Sequence, residues 1–139
     1  MKLTEYKTTN SDMMEIKGII TSGQGKGAYF MSKSFYKDQF EKKLNFSPFP
    51  GTLNIKISSS EIDKIHGIGK DKLEKIKGEG NFGDVLLIKA TLTPDIHGAV
   101  VFPKKTTHGE NILEFITSIN LKKSLKIKDG DEVKLKLEY

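Results

Sequence analysis

The chain has 139 residues, 36% hydrophobic and 29% charged, which fits one folded domain with its own core and carries no disorder signature. It contains no cysteine, so disulfides, thiolate metal sites and cysteine nucleophiles are ruled out. The formal net charge of +5 favours anionic partners, but the lysines are mixed with acids along the whole chain, as on an ordinary solvated surface.

The N-terminus, Met1 to Asn10, is polar and lacks the apolar stretch of a signal peptide. No apolar run is long enough to span a bilayer, so a cytoplasmic protein without a membrane segment is expected. Residues 1–13 read as an irregular extension of a single domain covering 1–139.

In chain order, "MEIKGIITS" at 14–22 alternates apolar and polar residues and predicts a strand. "GQGKGA" at 23–28 follows, and "AYFM" at 28–31 is a second short strand, so the glycine-rich stretch joins two strands. "SFYKDQFEKKLN" at 34–45 sets Phe35, Phe40 and Leu44 near helical spacing, with Ser34 as the N-cap. "FSPFPG" at 46–51 is a rigid turn, and "TLNIKI" at 52–57 alternates as a strand. Residues 60–80 carry no clear pattern. Strands are predicted at 85–93, 98–103 and 111–118, a short helix at 120–127, and a turn with a last strand at 129–138. The total is about six strands and two or three short helices, spaced as in a small β-barrel.

Three features bear on chemistry. The loop from Gly23 to Ala28 formally fits the dinucleotide fingerprint, but no helix or βαβ context follows, and no G-K-[ST] closes it as a Walker loop. It has the shape of a strand–loop–strand flap whose glycines bring backbone N–H groups to phosphate oxygens while Lys26 adds charge. A glycine-rich hairpin without a ligand accounts for it equally well. Thr52 and Asn54 share one face of their strand and offer a hydroxyl and an amide oxygen of the kind Mg²⁺ accepts; ordinary exposed strand positions are the plainer account. Glu114 lies among Ile112, Leu113, Phe115 and Ile116, where a carboxylate must be paired, solvated or functional; on an exposed face it is unremarkable. Lys104 and Lys105 can meet phosphate or simply be solvated.

A competing reading comes from "IDKIHGIGKDKLEKI" at 62–76, which resembles a helix-hairpin-helix DNA-binding motif with Gly67 and Gly69 in the hairpin. The flanking sequence is β-rich, and "KLEKIKGEGNFGDVLLI" also reads as strand, turn, strand, so a nucleic-acid-binding module ranks second.

Taken together, "SGQGKGAYF", "FPGTLN", "GAVVFPKKTTH" with "ILE" a few residues on, and the "DGD" near the end resemble the archaeal-type CTP-dependent riboflavin kinases. The segments come in family order and cover the chain from about residue 15. The resemblance implies a mainly β fold, a six-stranded cradle-loop barrel. It implies transfer of the terminal phosphate of CTP to the 5′-hydroxyl of riboflavin, giving FMN and CDP, with Mg²⁺ as cofactor and no protein partner. Carried over by residue, Gly23, Gln24, Gly25, Lys26, Gly27 and Ala28 contact the nucleotide, with Ile119, Asn120, Leu121 and Lys122 forming the rest of its pocket. Thr52 and Asn54 hold Mg²⁺, and Thr106 and Glu114 touch the flavin, where Glu114 either orients it or serves as a base. "TSINLKK" and 58–82 match the family least well, and the N-terminal winged-helix domain of some relatives is not expected here.

Overall fold

The computed structural model describes residues 13–21, 33–49, 52–81, 83–103 and 112–139. Its strands are β1 (Met13–Thr21), β2 (Leu53–Lys56), β3 (Glu74–Ile76), β4 (Val85–Leu92), β5 (Ile96–Pro103), β6 (Ile112–Thr117) and β7 (Glu132–Glu138). Its helices are α1 (Ser34–Leu44), α2 (Ser59–His66) and α3 (Leu121–Ser124).

Every strand pairing is antiparallel. The order β4–β5–β6–β2–β1–β7 closes on itself because β7 pairs with β4 as well as with β1; this is a six-stranded barrel with β3 added on the outside of β4. Closure follows from alternation. Ile16, Ile20, Leu53, Ile55, Ile88, Ala90, Leu92, Val100, Leu113, Phe115, Leu135 and Leu137 all point inward and form one apolar core. Gly18 interrupts the β1 row because a Cβ there would lie 2.4 Å from Ile55 Cγ2 and 2.8 Å from the Lys56 carbonyl oxygen.

A second core lies outside the barrel. Val85, Leu87, Ala99, Val101 and Ile116 face outward from β4, β5 and β6, and Tyr36 and Phe40 of α1 cover them together with Ile76 of β3. The Gln39 amide ties α1 to the chain just past β3: it donates to the Lys77 carbonyl and accepts from the Lys77 N–H, both at 2.8 Å. The helix ends at Asn45, which takes the left-handed conformation (φ 62°) and donates its N–H to the Glu41 carbonyl.

Some sequence expectations need correction. Ser34 is not the N-cap of α1. Lys33 holds that position with extended backbone and gives no side-chain cap, and Ser34 is the first helical residue. The helix predicted at 120–127 is a single turn, 121–124. The helix-hairpin-helix motif lacks its second helix: after α2 the chain makes a 3₁₀ turn at Lys70–Lys72 and enters β3, so no paired helices frame Gly67 and Gly69. The strand–turn–strand reading of that stretch holds.

Helix α2 also solves a pairing problem. Strand β2 pairs with β1 only from Ile19 to Thr21, so the earlier part of β1 has no strand on that side. Glu61 Oε2 accepts the Lys17 N–H at 3.1 Å, and Lys64 Nζ donates to the Glu15 carbonyl at 3.3 Å. Side chains of a helix thus satisfy backbone groups that a strand would otherwise pair. No helix among the described residues is long and apolar enough to cross a membrane.

Candidate active site

Strands β2 and β6 run side by side with Leu53 opposite Phe115 and Asn54 opposite Glu114. Because Leu53, Ile55, Leu113 and Phe115 point into the barrel, Thr52, Asn54 and Glu114 must share its outer face. That face is normally solvated, yet Asn54 is only 7% exposed and Glu114 only 4%. Of the alternatives open for Glu114, the carboxylate on an exposed strand face does not apply.

Thr52 and Glu114 are diagonal neighbours across the two strands, close enough for side chains to meet. The Thr52 hydroxyl donates to Glu114 Oε1 at 3.1 Å. Asn54, directly opposite Glu114, makes no side-chain hydrogen bond to any described residue. A buried amide without a protein partner is uncommon and signals a ligand-facing group. So two oxygens, a hydroxyl and an amide, and one carboxylate converge from residues 52, 54 and 114.

The surrounding chain delivers these groups. Phe49 donates its N–H to the Thr117 carbonyl at 2.8 Å, and the Thr117 hydroxyl donates to the His97 carbonyl at 2.7 Å. This pins the proline-rich turn to the end of β6 just before Thr52. Thr117 is itself buried, and reading the sequence missed it. A threonine at a strand end carries no local signal of a partner on a neighbouring strand. On the adjoining strand, Gly98 is required where β5 meets β6, since a Cβ there would approach the Ile116 carbonyl oxygen to 2.0 Å.

The other predicted residues fall as follows. Gly23, Gln24, Gly25, Lys26, Gly27, Ala28 and Thr106 lie outside the described residues, as do Lys104, Lys105 and the strand expected at 28–31. In sequence, Gly23 follows two residues after Thr21, whose register partner is Asn54. In the 119–122 segment, Leu121 is buried in the barrel core, Ile119 is 41% exposed, and Asn120 caps α3 by accepting the Lys123 N–H at 3.2 Å. Ile20 of β1 exchanges backbone hydrogen bonds with Gly130 and Asp131, so the end of β1, the start of β2 and the turn after α3 share one rim of the barrel.

Whether these groups suit a divalent cation can be judged from their chemistry. Hydroxyl and amide oxygens are hard ligands, and the unpartnered Asn54 amide is free to serve as one. No cluster of three or more His, Asp or Glu exists among the described residues, so these residues supply too little negative charge to hold the cation alone. The residues fit a cation that arrives bound to polyphosphate and completes its shell on Thr52 and Asn54.

A family profile labelled CTP-dep_RFKase, described as domain of unknown function DUF120, matches residues 20–137. The riboflavin kinase of Methanothermobacter thermautotrophicus is 48% identical over 118 residues, covering 84% of this chain and 93% of that protein. The riboflavin kinase of Methanobrevibacter smithii is 44% identical over 120 residues, 86% of this chain and 97% of the relative. That of Methanosphaera stadtmanae is 41% identical over 134 residues, 91% and 99% respectively. A profile match over most of the chain, together with these identities across nearly whole proteins, makes this β-barrel a member of the archaeal CTP-dependent riboflavin kinase family, a family of phosphotransferases.

Proposed function

We propose that the protein transfers the terminal phosphate of CTP to the 5′-hydroxyl of riboflavin, yielding FMN and CDP in the cytoplasm. The observation that carries this reading is the Thr52–Asn54–Glu114 group on the outer face of β2 and β6, in which Asn54 and Glu114 are buried and the Asn54 amide has no partner among the described residues. The family membership supplies the reaction type, and the names of the relatives supply the substrate.

Thr52 and Asn54 would hold Mg²⁺ jointly with the triphosphate. When bound, the cation supplies charge neutralisation on the phosphates. The flap from Gly23 to Ala28 would lay backbone N–H groups along the phosphates, with Lys26 adding a positive charge. Ile119 to Lys122 would complete the nucleotide pocket on the rim beside α3. Thr106 and Glu114 would orient the flavin so that its 5′-hydroxyl faces the terminal phosphorus. Phosphoryl transfer needs little covalent help from protein, so positioning and charge complementarity provide most of the acceleration.

The test is a panel of CTP, ATP, GTP and UTP, each with riboflavin and Mg²⁺, followed by chromatography for FMN and the nucleoside diphosphate. FMN and CDP from the CTP reaction, with much less from the others, is the expected result. Absence of FMN with every nucleotide would sink the reading, and equal rates with ATP would remove the CTP assignment.

A further inference from the structure

The carboxylate of Glu114 has two oxygens, and the structure engages one of them internally. Oε1 accepts the Thr52 hydroxyl proton at 3.1 Å, and Oε2 has no partner among the described residues. A threonine hydroxyl has one hydrogen and two lone pairs. With its hydrogen committed to a carboxylate, the oxygen turns its lone pairs elsewhere and carries more negative charge than a freely rotating hydroxyl. Glu114 is 4% exposed and Thr52 half-buried, so at the carboxylate end of this bond water competes poorly.

We infer that Glu114 is a positioning residue for Thr52: it fixes the hydroxyl proton so that Thr52 presents only lone pairs to a divalent cation. The inference rests on the proposed reading of Thr52 as a cation ligand and adds a role for Glu114 that is separate from contact with the flavin. Without the carboxylate, the Thr52 hydrogen is free to point toward the cation, where it repels. Glu114→Gln illustrates this, because the amide can donate to Thr52 Oγ1 and turn the hydroxyl hydrogen outward. Asn54 needs no such device, since its amide oxygen has no hydrogen to misdirect. That difference explains why a buried acid sits within reach of Thr52 while the Asn54 amide has no partner among the described residues.

The experiment is binding of Mn²⁺·CTP without riboflavin, so that no turnover is involved, read by the relaxation enhancement of water protons. Binding of CTP in the presence of a chelator serves as the metal-free reference. The proteins are wild type, Thr52→Ser, Thr52→Val, Glu114→Gln and the double variant Thr52→Val with Glu114→Gln, each verified as folded by circular dichroism. Glu114→Gln should weaken Mn²⁺·CTP by about tenfold, the scale of one charge-assisted hydrogen bond, while leaving metal-free CTP binding unchanged. Thr52→Ser, which keeps the hydroxyl, should stay near wild type. In the Thr52→Val background the Glu114→Gln change should have no further effect, because the group it acts through is gone. A Glu114→Gln effect that persists undiminished beside Thr52→Val means the carboxylate acts on the cation directly and overturns the inference. No Glu114→Gln effect with Thr52 present overturns it as well. If wild type binds CTP equally with and without Mn²⁺, the cation reading of Thr52 and Asn54 itself fails, and this inference fails with it.

Discussion

Two parts of the barrel's outer face are withdrawn from water and are chemically opposite. Over β4 and β5, continuing to Ile116 on β6, the outward side chains are Val85, Leu87, Ala99, Val101 and Ile116, sealed by Tyr36 and Phe40. Over β2 and the middle of β6 they are Thr52, Asn54 and Glu114. The first half shields aliphatic surface, and every atom gains by leaving water. The second half shields an amide and a carboxylate that the described protein groups satisfy only in part, an arrangement that works against stability. Burial therefore has two meanings on one sheet: the apolar half holds the fold, and the polar half encloses groups whose hydrogen-bonding capacity the described residues leave partly open.

Three substitutions test that contrast. The largest effect is expected from Phe40→Ala, which empties a fully buried ring site beneath α1. It should lower unfolding free energy by about 3–5 kcal/mol, seen in urea titration, while the turnover of molecules that remain folded stays close to normal. A small stability change would mean that α1 contributes little to the second core.

Asn54→Leu should do the reverse. It replaces a buried amide that has no partner among the described residues with an apolar group of similar size, so stability should hold or rise. Turnover should fall by about 10²-fold, as when a single transition-state charge contact is lost. Stability lost in step with activity would instead make Asn54 a structural residue, and the two halves of the face would then differ only in composition. The smallest effect is expected at α2, which belongs to neither half. Ser58→Ala removes the cap that accepts the Glu61 N–H, and a loss of about 1 kcal/mol with unchanged kinetics is expected. A kinetic defect there would extend the functional region beyond β2 and β6.

Much of the barrel is readable in the chain. Alternation in "TLNIKI" and "EVKLKLE" and the apolar run of "VLLIKATL" report strands, and these appear within a residue or two of their expected bounds. The stretch from 58 to 82 was opaque for a physical reason. Helix α2 has no fully buried residue: only Ile62 and Ile65 pack against the core, and Glu61 and Lys64 bind backbone groups of β1, so its apolar signal is just two residues long. Strand β3 is only three residues long, too short to show alternation. The site divides the same way. That Thr52 and Asn54 share a face follows from their spacing of two. That Glu114 meets Thr52 does not, because the two are 62 residues apart and only the β2–β6 register joins them. Nor does the sequence disclose that this outer face is shielded from water.

The double pairing of β7 has a consequence for how the molecule comes into being. Residues 135–138 pair with β1 on one side and with β4 on the other. Until a ribosome has delivered that strand, β1 and β4 each expose an open edge, and the cylinder cannot close however much of the chain has emerged. The β1–β7 seam joins segments more than a hundred residues apart, from Met13 opposite Glu138 to Ile19 opposite Glu132. Contacts of such long range fold slowly, since the chain must lose its freedom before the pairing rewards it. The growing polypeptide thus spends its synthesis with two adhesive edges, and a chaperone that shields β1 and β4 until β7 arrives would act on the step at which this fold is most exposed to misassembly.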